Sequence, residues 1–481
     1  MIMLTKLFNK NNFITFVVTA YIFFWDTFHT LNIKMDIRII ILLLSFYLIN
    51  EIFNDIKNKD FKFVQLSLFI FLFIIFHSVL VDNNLNIKFF GSLFFLLFLF
   101  GVAYYFYDII LDNKYLIIYL FVSLFLLSTF LHFFINYASN PEPFSCGALK
   151  NILGGKNSFD KPIFFIHFIS SYSLIFNENS HLAMSGIPVI IFSIFIITNN
   201  FKNKKNNFIL IPFIIVCFLK SSATLLAGTF FSILCLLIFD YKRLNKYFIV
   251  FSLILISVIS FIFFQDKVCI NKFVLSNHDI EAFDKLNPLS KKNDIELNLS
   301  KLQIELEKEN LDENDKLYLL KKKIELEDEL DKLRIKRQNF KSQYRGSLSS
   351  DVFFHALKVT YNSIFIKPLG WGFQGYELAF NDYNKKNKIY RKPLEVFNSR
   401  DASNNTFKII TEFGILSLLL YLLLLYIFLN KKISIENKIF IIPFIVTQSI
   451  RGAGYFNGAF ILILFLLIMV QFRNKSNADK F

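Results

Sequence analysis

Residues 89–110 read FFGSLFFLLFLFGVAYYFYDII, a run of apolar and aromatic side chains that contains one charged residue, Asp108. An α-helix needs about 20 predominantly apolar residues to cross the hydrocarbon core of a bilayer. Similar runs recur along the chain, in which 54% of the 481 residues are hydrophobic and 65 are Phe. A soluble core cannot bury so many long apolar segments, so the sequence predicts an all-α polytopic membrane protein.

The apolar runs predict about twelve transmembrane helices and divide the chain into three regions. Residues 1–264 hold the first nine helices, residues 265–406 form one large polar loop, and residues 407–481 hold the last three helices and a tail. The N-terminus lacks a signal-peptide cleavage pattern, so the first run is expected to remain as a helix. The predicted spans lie at 12–28, 37–53, 64–81, 89–110, 115–134, 182–198, 208–219, 224–239, 248–264, 407–429, 439–450 and 455–472.

Basic residues in the connecting loops predict the orientation of the chain. One alternate set of loops, which includes both termini, carries more than twice as many Lys and Arg as the opposite set, leaving out the large loop. Basic loops stay in the cytoplasm, so both termini are expected there and the large loop is expected outside. Many of the residues behind the formal net charge of +15 are such topology signals, which argues against a nucleic-acid partner.

The large loop divides into two parts. Residues 295–340 carry charges of both signs and place Leu at spacings of three, four and seven on both sides of a polar break at 311–315. This pattern predicts an antiparallel helical hairpin. The hairpin is either a solvated insertion without chemistry or a docking site for a coiled-coil partner.

Residues 341–406, the second part of the loop, carry ten basic and five acidic side chains. Such a surface suits a polyanionic or phosphorylated ligand near lipid headgroups, and a merely solvated basic face is the alternative. The apolar side chains of Phe353, Phe354 and Leu357 predict a helix lying in the membrane interface, ended by Pro368 and Gly370.

Neither the four cysteines nor the seven histidines follow a metal-ligand pattern, and no phosphate-binding Gly-rich loop is present. We therefore expect no metal and no cofactor. Cys146 and Cys269 fall in loops expected outside, where disulfides persist. A Cys146–Cys269 disulfide is one hypothesis, and two free thiols are the alternative.

Polar side chains collect beside the outer ends of the predicted spans. Ionisable groups at this depth are costly unless they are used, so together they predict a shared cavity. Each one alone is as well explained as an interfacial anchor or a helix cap. The set comprises Glu178, Ser180, His181, Lys220, Ser221, Ser222, Arg400, Asn404, Asn405, Glu412 and Arg451.

Over residues 176–458 the order of features resembles the bacterial O-antigen polymerase and O-antigen ligase superfamily. Residues 176–183, FNENSHLA, are similar to a Phe-x-Glu-Pro-Ser stretch before a span, and residues 220–224, KSSAT, are similar to a Ser-rich turn between spans. Arg345 precedes an amphipathic stretch and then PLGWG at 368–372, as in the family. Residues 404–407, NNTF, followed by EFGI at 412–415, resemble the His-Asn-x-Tyr/Phe and Glu-x-Gly-Ile signature of the next span.

The resemblance implies inverting, metal-independent glycosyl transfer at the periplasmic face of the bacterial inner membrane. The donor would be an undecaprenyl-diphosphate-linked oligosaccharide, the bilayer would hold its lipid, and a coiled-coil chain-length regulator would be a candidate partner. Glu178, His181, Arg345 and Asn404 are the implied catalytic candidates. Lys220, Ser222, Arg345, Gly370, Gly372, Arg400, Asn405, Glu412 and Arg451 are the implied binding candidates for the diphosphate or the glycan.

One departure from the family pattern and one likeness to it bear on the choice of activity. Asn404 stands where the ligases carry the His implicated in catalysis, and the motif around Glu178 is polymerase-like. We therefore favour a polymerase over an O-antigen ligase, which would transfer glycan to the lipid A core. A membrane transporter is the non-enzyme alternative, and it would be expected to show two similar halves, of which the sequence gives no sign.

Overall fold

The computed structural model describes residues 9–25, 38–139, 179–199, 204–219, 223–239, 289–306, 312–343, 348–387, 398–452 and 454–478. These residues form helices and connecting turns, with no β-strand among them, which confirms the all-α class. The chain divides into two compact units. The first comprises Met1–Ile270, Thr360–Ala379 and Arg400–Phe481, and the second comprises Asn271–Val359 and Phe380–Ser399.

Helices alternate with short turns along each described stretch. The N-terminal half contains α1 (Lys10–Phe23), α2 (Arg38–Leu42), α3 (Ser45–Lys57), α4 (Lys62–Leu80), α5 (Ile87–Asp112), α6 (Lys114–Ser139), α7 (Asn179–Asn199), α8 (Lys204–Leu219) and α9 (Ala223–Phe239). The remainder contains α10 (Leu289–Leu306), α11 (Glu313–Gln343), α12 (Leu348–Ile366), α13 (Tyr376–Lys386), α14 (Asn405–Phe413), α15 (Leu416–Leu429), α16 (Ile435–Ile450) and α17 (Phe460–Ala478), with a 3₁₀ turn at Asn457–Ala459.

Among the described residues, four helical segments are long and apolar enough to cross a membrane: Arg38–Lys57, Lys62–Leu80, Ile87–Asp112 and Lys114–Leu131. They coincide with the second to fifth predicted spans, so their length and composition support a membrane protein. Most of the other predicted spans fall on shorter apolar helices such as His181–Ile197 and Leu416–Leu429, and these stay predictions. The ninth, at 248–264, lies outside the described residues.

One predicted span has an internal break. The apolar run at 407–429 contains two helices, α14 and α15, because Gly414 between them has a positive φ of 51°. A residue with that backbone conformation cannot continue a right-handed helix. The break creates a turn of backbone at Gly414, which is buried, where the sequence alone predicts a continuous helix.

The core of the first unit is built around α7 and α16, which pack against each other. Nearly every residue from Leu182 to Ile196 in α7 is buried, as expected for a helix that is apolar on all sides. By contrast, α3 and α4 expose large apolar side chains, including Phe46 (78% exposed) and Phe69 (69% exposed). Such outward apolar faces suit contact with lipid.

The second unit contains the two helices of the predicted hairpin, α10 and α11, which pack against each other. Ile295, Leu302 and Leu330 are buried, whereas most neighbouring charged residues are exposed. The polar break expected at 311–315 includes the start of α11, where the Glu313 backbone N–H donates to the Asp312 carboxylate at 2.8 Å. Helix α12 ends at Ile366, directly before the Lys367-Pro368 pair, as predicted.

Candidate functional site

Residues 368–374 form a tight turn that is fastened to the C-terminal end of α14. The backbone N–H groups of Trp371 and Gly372 donate to the carbonyls of Thr411 and Glu412 at 3.0 and 2.9 Å. In return, the Ile415 N–H donates to the Pro368 carbonyl at 2.8 Å. These bonds satisfy backbone groups that the end of a helix would otherwise leave unpaired. We call residues 368–374 the PLG turn.

Glycine is required on both sides of this contact. Gly370 has a φ of 93°, and a Cβ there would lie 2.3 Å from the Glu412 carbonyl oxygen. Gly414 has a φ of 51°, and a Cβ there would lie 2.0 Å from the Pro368 carbonyl oxygen. Both clashes are with backbone atoms, which cannot move aside as a flexible side chain can. The two glycines therefore explain why the PLG turn and α14 approach so closely.

The PLG turn is also anchored to the end of α4. The Lys367 ammonium donates to the Val81 carbonyl at 2.8 Å and lies 4.8 Å from the centre of the Trp371 ring. His77 Nε2 lies 2.8 Å from the Leu369 carbonyl oxygen, and Asn83 donates its side-chain amide to the Phe373 carbonyl at 2.8 Å. Three polar contacts therefore hold the turn against the end of a membrane-spanning candidate helix, and the contact of Lys367 with Trp371 is local to the turn.

Beneath the PLG turn lies a buried ion pair. Glu412 is fully buried and Lys408 is 4% exposed, and the Lys408 ammonium lies 3.6 Å from Glu412 Oε1. The Tyr455 hydroxyl donates to Glu412 Oε2 at 2.7 Å, and the Tyr376 N–H donates to Oε1 at 3.4 Å. Buried charges are tolerated only when they are paired and hydrogen-bonded in this way.

Lys408 makes further contacts that connect three segments. Its ammonium donates to the Arg400 carbonyl, lies 3.5 Å from the Gln374 side-chain oxygen and sits 5.0 Å from the centre of the Tyr455 ring. The Tyr455 ring in turn stacks on Phe373 with centroids 5.9 Å apart. The pair therefore joins α14, the PLG turn and the loop before α17 into one arrangement.

The two asparagines at the start of α14 hold different positions. Asn404 is the N-cap, and its side-chain oxygen accepts from the Phe407 N–H at 2.7 Å. Asn405 is fully buried and donates to the Gln448 side chain at 3.3 Å, which itself donates to the Gly458 carbonyl at 3.1 Å. The Asn405 side-chain oxygen has no hydrogen-bond partner among the described residues. Asn404 thus has an identified capping role, whereas Asn405 keeps an unused acceptor.

Arg400 and Asp401 lie directly before this cap. Arg400 is exposed, and its Nε lies 3.1 Å from Glu377 Oε2. Asp401 is partly buried, and a Cβ on Gly454 would lie only 2.7 Å from its Oδ1. Burial raises the pKa of the Asp401 carboxyl, and the charges of Lys408, Arg400 and His181 oppose that rise. The Asp401 carboxylate is therefore surrounded by basic groups from two helices, α7 and α14, and from the turn that precedes α14.

His181 and Arg451 lie near the residues that precede α14, Arg400 to Ser403. The His181 ring packs on Trp25, with ring centroids 4.8 Å apart, and its charge acts on Asp401. Arg451 is the C-cap of α16, and the next residue, Gly452, donates its N–H to the Ser403 carbonyl at 3.1 Å. This bond brings the Arg451 turn next to the start of α14.

The structure therefore brings several predicted site residues into one region of the first unit. These are His181, Gly370, Gly372, Arg400, Asn404, Asn405, Glu412 and Arg451. The remaining predicted residues lie outside the described part of the chain: Glu178, Lys220, Ser222, Arg345, Cys146 and Cys269. Their roles stay predictions.

Sequence reasoning missed residues that hold this region together, namely Gln374, Tyr376, Asp401, Lys408 and Tyr455. A signal for Lys408 was present, because Lys408 and Glu412 stand four residues apart within an apolar run. Charged residues so placed pair on one helix face. Tyr455 offered no such signal, since it lies 43 positions from Glu412 in the sequence.

Within the described residues, no group of three or more His, Cys, Asp or Glu side chains is placed to hold a metal ion. The comparisons with known proteins add no relative: no family model matches the chain, and neither a curated protein nor a solved structure is similar to it. The function of this chain is therefore inferred from its residues and their geometry.

Proposed function

We propose that this chain is a membrane glycosyltransferase that joins undecaprenyl-diphosphate-linked oligosaccharide repeat units. The product is an O-antigen, a capsule or another exopolysaccharide. The same proposal includes about twelve membrane crossings, both termini in the cytoplasm and the large loop in the periplasm of a bacterium with an inner membrane. The transfer inverts the anomeric centre and uses no metal.

The observation that carries this proposal is the contact between the PLG turn and α14. The motifs at 368–372 and 404–415 were matched to the family separately, and nothing in that match requires them to touch. Three backbone hydrogen bonds join them, and Gly370 and Gly414 leave room for the approach. Two motifs of one resemblance that meet at one place support a shared site.

The chemistry needs a cationic surface next to the bilayer. Arginine and lysine bind a diphosphate by charge-assisted hydrogen bonds, which arginine often makes in bidentate fashion. Arg400 is exposed beside the start of α14 and is suited to this task. Arg451 lies on a neighbouring turn, and Arg345 and Lys220 complete the proposed set. Such groups stabilise the charge that develops on the departing diphosphate and orient the donor.

Two of the candidate residues take supporting roles in this proposal. Glu412 is fully buried and bonded to Tyr455 and Lys408, so it holds the PLG turn on α14. Asn404 caps α14 and thereby places Arg400 and Asp401 at the helix start. An asparagine engaged in a cap lacks the titratable ring that the ligases carry at this position, which favours the polymerase over the ligase.

The test is the surface glycan of a strain that lacks this protein, compared by gel with the parent strain and with the deletion strain complemented by the intact gene. A polymerase predicts loss of the ladder with a single repeat unit still attached to the lipid A core. Loss of all repeat units from the core, with long polymer retained on undecaprenyl diphosphate, would show a ligase. An unchanged glycan would refute both activities and favour a transporter.

A further inference from the structure

We infer that Asp401 is the catalytic base of this site and accepts the proton of the attacking hydroxyl. This inference rests on the proposed glycosyl transfer and names a residue that the sequence motifs do not. The acceptor hydroxyl of one repeat unit gives its proton to the Asp401 carboxylate, and its oxygen bonds to the anomeric carbon of the donor. The bond from that carbon to the diphosphate breaks, and its electron pair leaves with undecaprenyl diphosphate.

The choice between two carboxylates decides the assignment. Glu412 is fully buried, and Tyr455, Tyr376 and Lys408 all contact its oxygens. A carboxylate in that position cannot meet a sugar without the loss of several contacts. Asp401 belongs to the same group of charges but keeps part of its surface exposed. Among these two, Asp401 is the carboxylate that a substrate can reach.

The surroundings of Asp401 come from separate parts of the first unit. Lys408 is contributed by α14, Arg400 by the preceding turn and His181 by α7, while the Tyr376 hydroxyl belongs to α13. Gly454, with a φ of 85°, lies so close to Asp401 that a Cβ there would come within 2.7 Å of Oδ1. A proton acceptor at a general-base site needs such positioning by neighbours.

The positive charge of Lys408 acts on both carboxylates, Glu412 and Asp401. Its ammonium is 3.6 Å from Glu412 Oε1, and its charge also acts on Asp401. The positive charge of Lys408 favours the ionised form of Asp401 and so opposes a rise in its pKa. Burial has the larger effect, so the pKa of Asp401 is raised despite the nearby basic groups. A carboxylate with a raised pKa is a stronger base than an ordinary aspartate.

The Trp25 ring beside His181 offers a contact for the acceptor sugar. Trp25 is 9% exposed and packs its ring on His181 at 4.8 Å. Its indole N–H is buried and has no acceptor among the described residues. A buried donor without a partner costs free energy, and a sugar hydroxyl would supply the missing acceptor. The aromatic face and the N–H together suit an amphipathic sugar ring.

The experiment uses membranes of the deletion strain that contain the intact protein or one of two variants, with the strain's own lipid-linked repeat units as substrate. Asp401→Asn keeps the shape of the side chain and removes the base. Asp382→Asn is the matched control, because Asp382 is a partly exposed carboxylate that pairs with Lys386 at 2.8 Å in the second unit. We expect Asp401→Asn to slow polymerisation at least about 100-fold, the usual size of general-base catalysis, and Asp382→Asn to leave it unchanged.

Thermal unfolding separates a base from a structural residue. Because the pKa of Asp401 is raised in the folded protein, its contribution to stability is present at acidic pH and is lost as the pH rises through that pKa. Asn removes this loss, so Asp401→Asn is expected to unfold at an equal or higher temperature at neutral pH. The difference is expected to vanish below a pH of about 4.

The outcomes distinguish a failure of the Asp401 assignment from a failure of the proposed glycosyl transfer. An Asp401→Asn protein that polymerises at a rate close to that of the intact protein would overturn the base assignment alone. A variant that loses activity together with thermal stability would overturn it in favour of a structural role. Intact protein that forms no polymer would refute the proposed function, and the inference would fall with it.

Discussion

Two Lys–Glu pairs with the same spacing of four residues behave differently in this molecule. Lys408 and Glu412 in α14 are 4% and 0% exposed, whereas Lys323 and Glu327 in α11 are 30% and 56% exposed and 4.0 Å apart. The second pair is surrounded by water, which screens its attraction. The first pair is removed from water and depends on its partners. The same sequence pattern is therefore structural in one region and nearly neutral in the other.

The largest expected effect is the removal of the buried ammonium. Lys408→Met leaves Glu412 as an uncompensated buried charge, which costs about 3–5 kcal/mol in comparable cases. We expect a large fall in the unfolding temperature in detergent and a lower yield of folded protein. An unfolding temperature equal to that of the intact protein would show that the carboxylate is not charged or not dry.

A second substitution sharpens this comparison. Adding Glu412→Gln to Lys408→Met removes the uncompensated charge but keeps an oxygen that accepts from the Tyr455 hydroxyl. The double variant is expected to recover a large part of the lost unfolding temperature. Failure to recover would assign the effect to the lost contacts of Lys408 with Gln374 and the Arg400 carbonyl.

The next effect comes from the backbone contact between the PLG turn and α14. Gly414→Ala places a Cβ 2.0 Å from the Pro368 carbonyl oxygen and forces a side chain onto a φ of 51°. We expect a loss of more than about 1 kcal/mol of stability and, under the proposed function, a loss of polymer. Gly91→Ala in α5 is the matched control, since a Cβ there meets nothing within 4 Å.

The control is expected to change stability in the opposite direction. Gly in a helix interior costs about 0.5–1 kcal/mol relative to Ala, so Gly91→Ala is expected to stabilise the protein or leave it unchanged. If both glycine variants had the same effect, the close approach of the PLG turn to α14 would not explain the cost at Gly414. Unfolding temperatures of the two purified variants decide this.

The sequence predicts structural features that depend on neighbouring residues better than features that depend on residues far apart in the chain. The all-α class followed from apolar runs such as 89–110, because helix periodicity and length are local properties. The end of α12 before Pro368 was also predictable, since proline lacks the backbone donor that a helix needs. The break at Gly414 was not predicted, because glycine inside an apolar run is tolerated in many helices. The break lies where α14 contacts the Pro368 carbonyl, which is far away in the sequence.

In the candidate site, too, local sequence patterns could be predicted and contacts between distant segments could not. Its motifs at 368–372 and 404–415 were visible in the sequence, but their contact was not. Tyr455 and Gln374 could not be predicted as site residues, because each contacts the Lys408–Glu412 pair from a separate segment of the chain. Asp401 was not predicted as a site residue, since a loop aspartate next to Arg400 follows no special sequence pattern. Burial, and not spacing, distinguishes it.

The smallest expected effect tests the exposed pair of the comparison. Lys323→Ala removes one partner of an exposed pair in α11, where pairs at this spacing contribute about 0.3–0.5 kcal/mol. Alanine also has a higher helix propensity than lysine, so the two effects largely cancel. We expect no measurable change in the unfolding temperature at low salt or at high salt. A loss comparable to that of Lys408→Met would mean that Lys323 is buried against a partner. The contrast between the two pairs would then come from their partners and not from solvent.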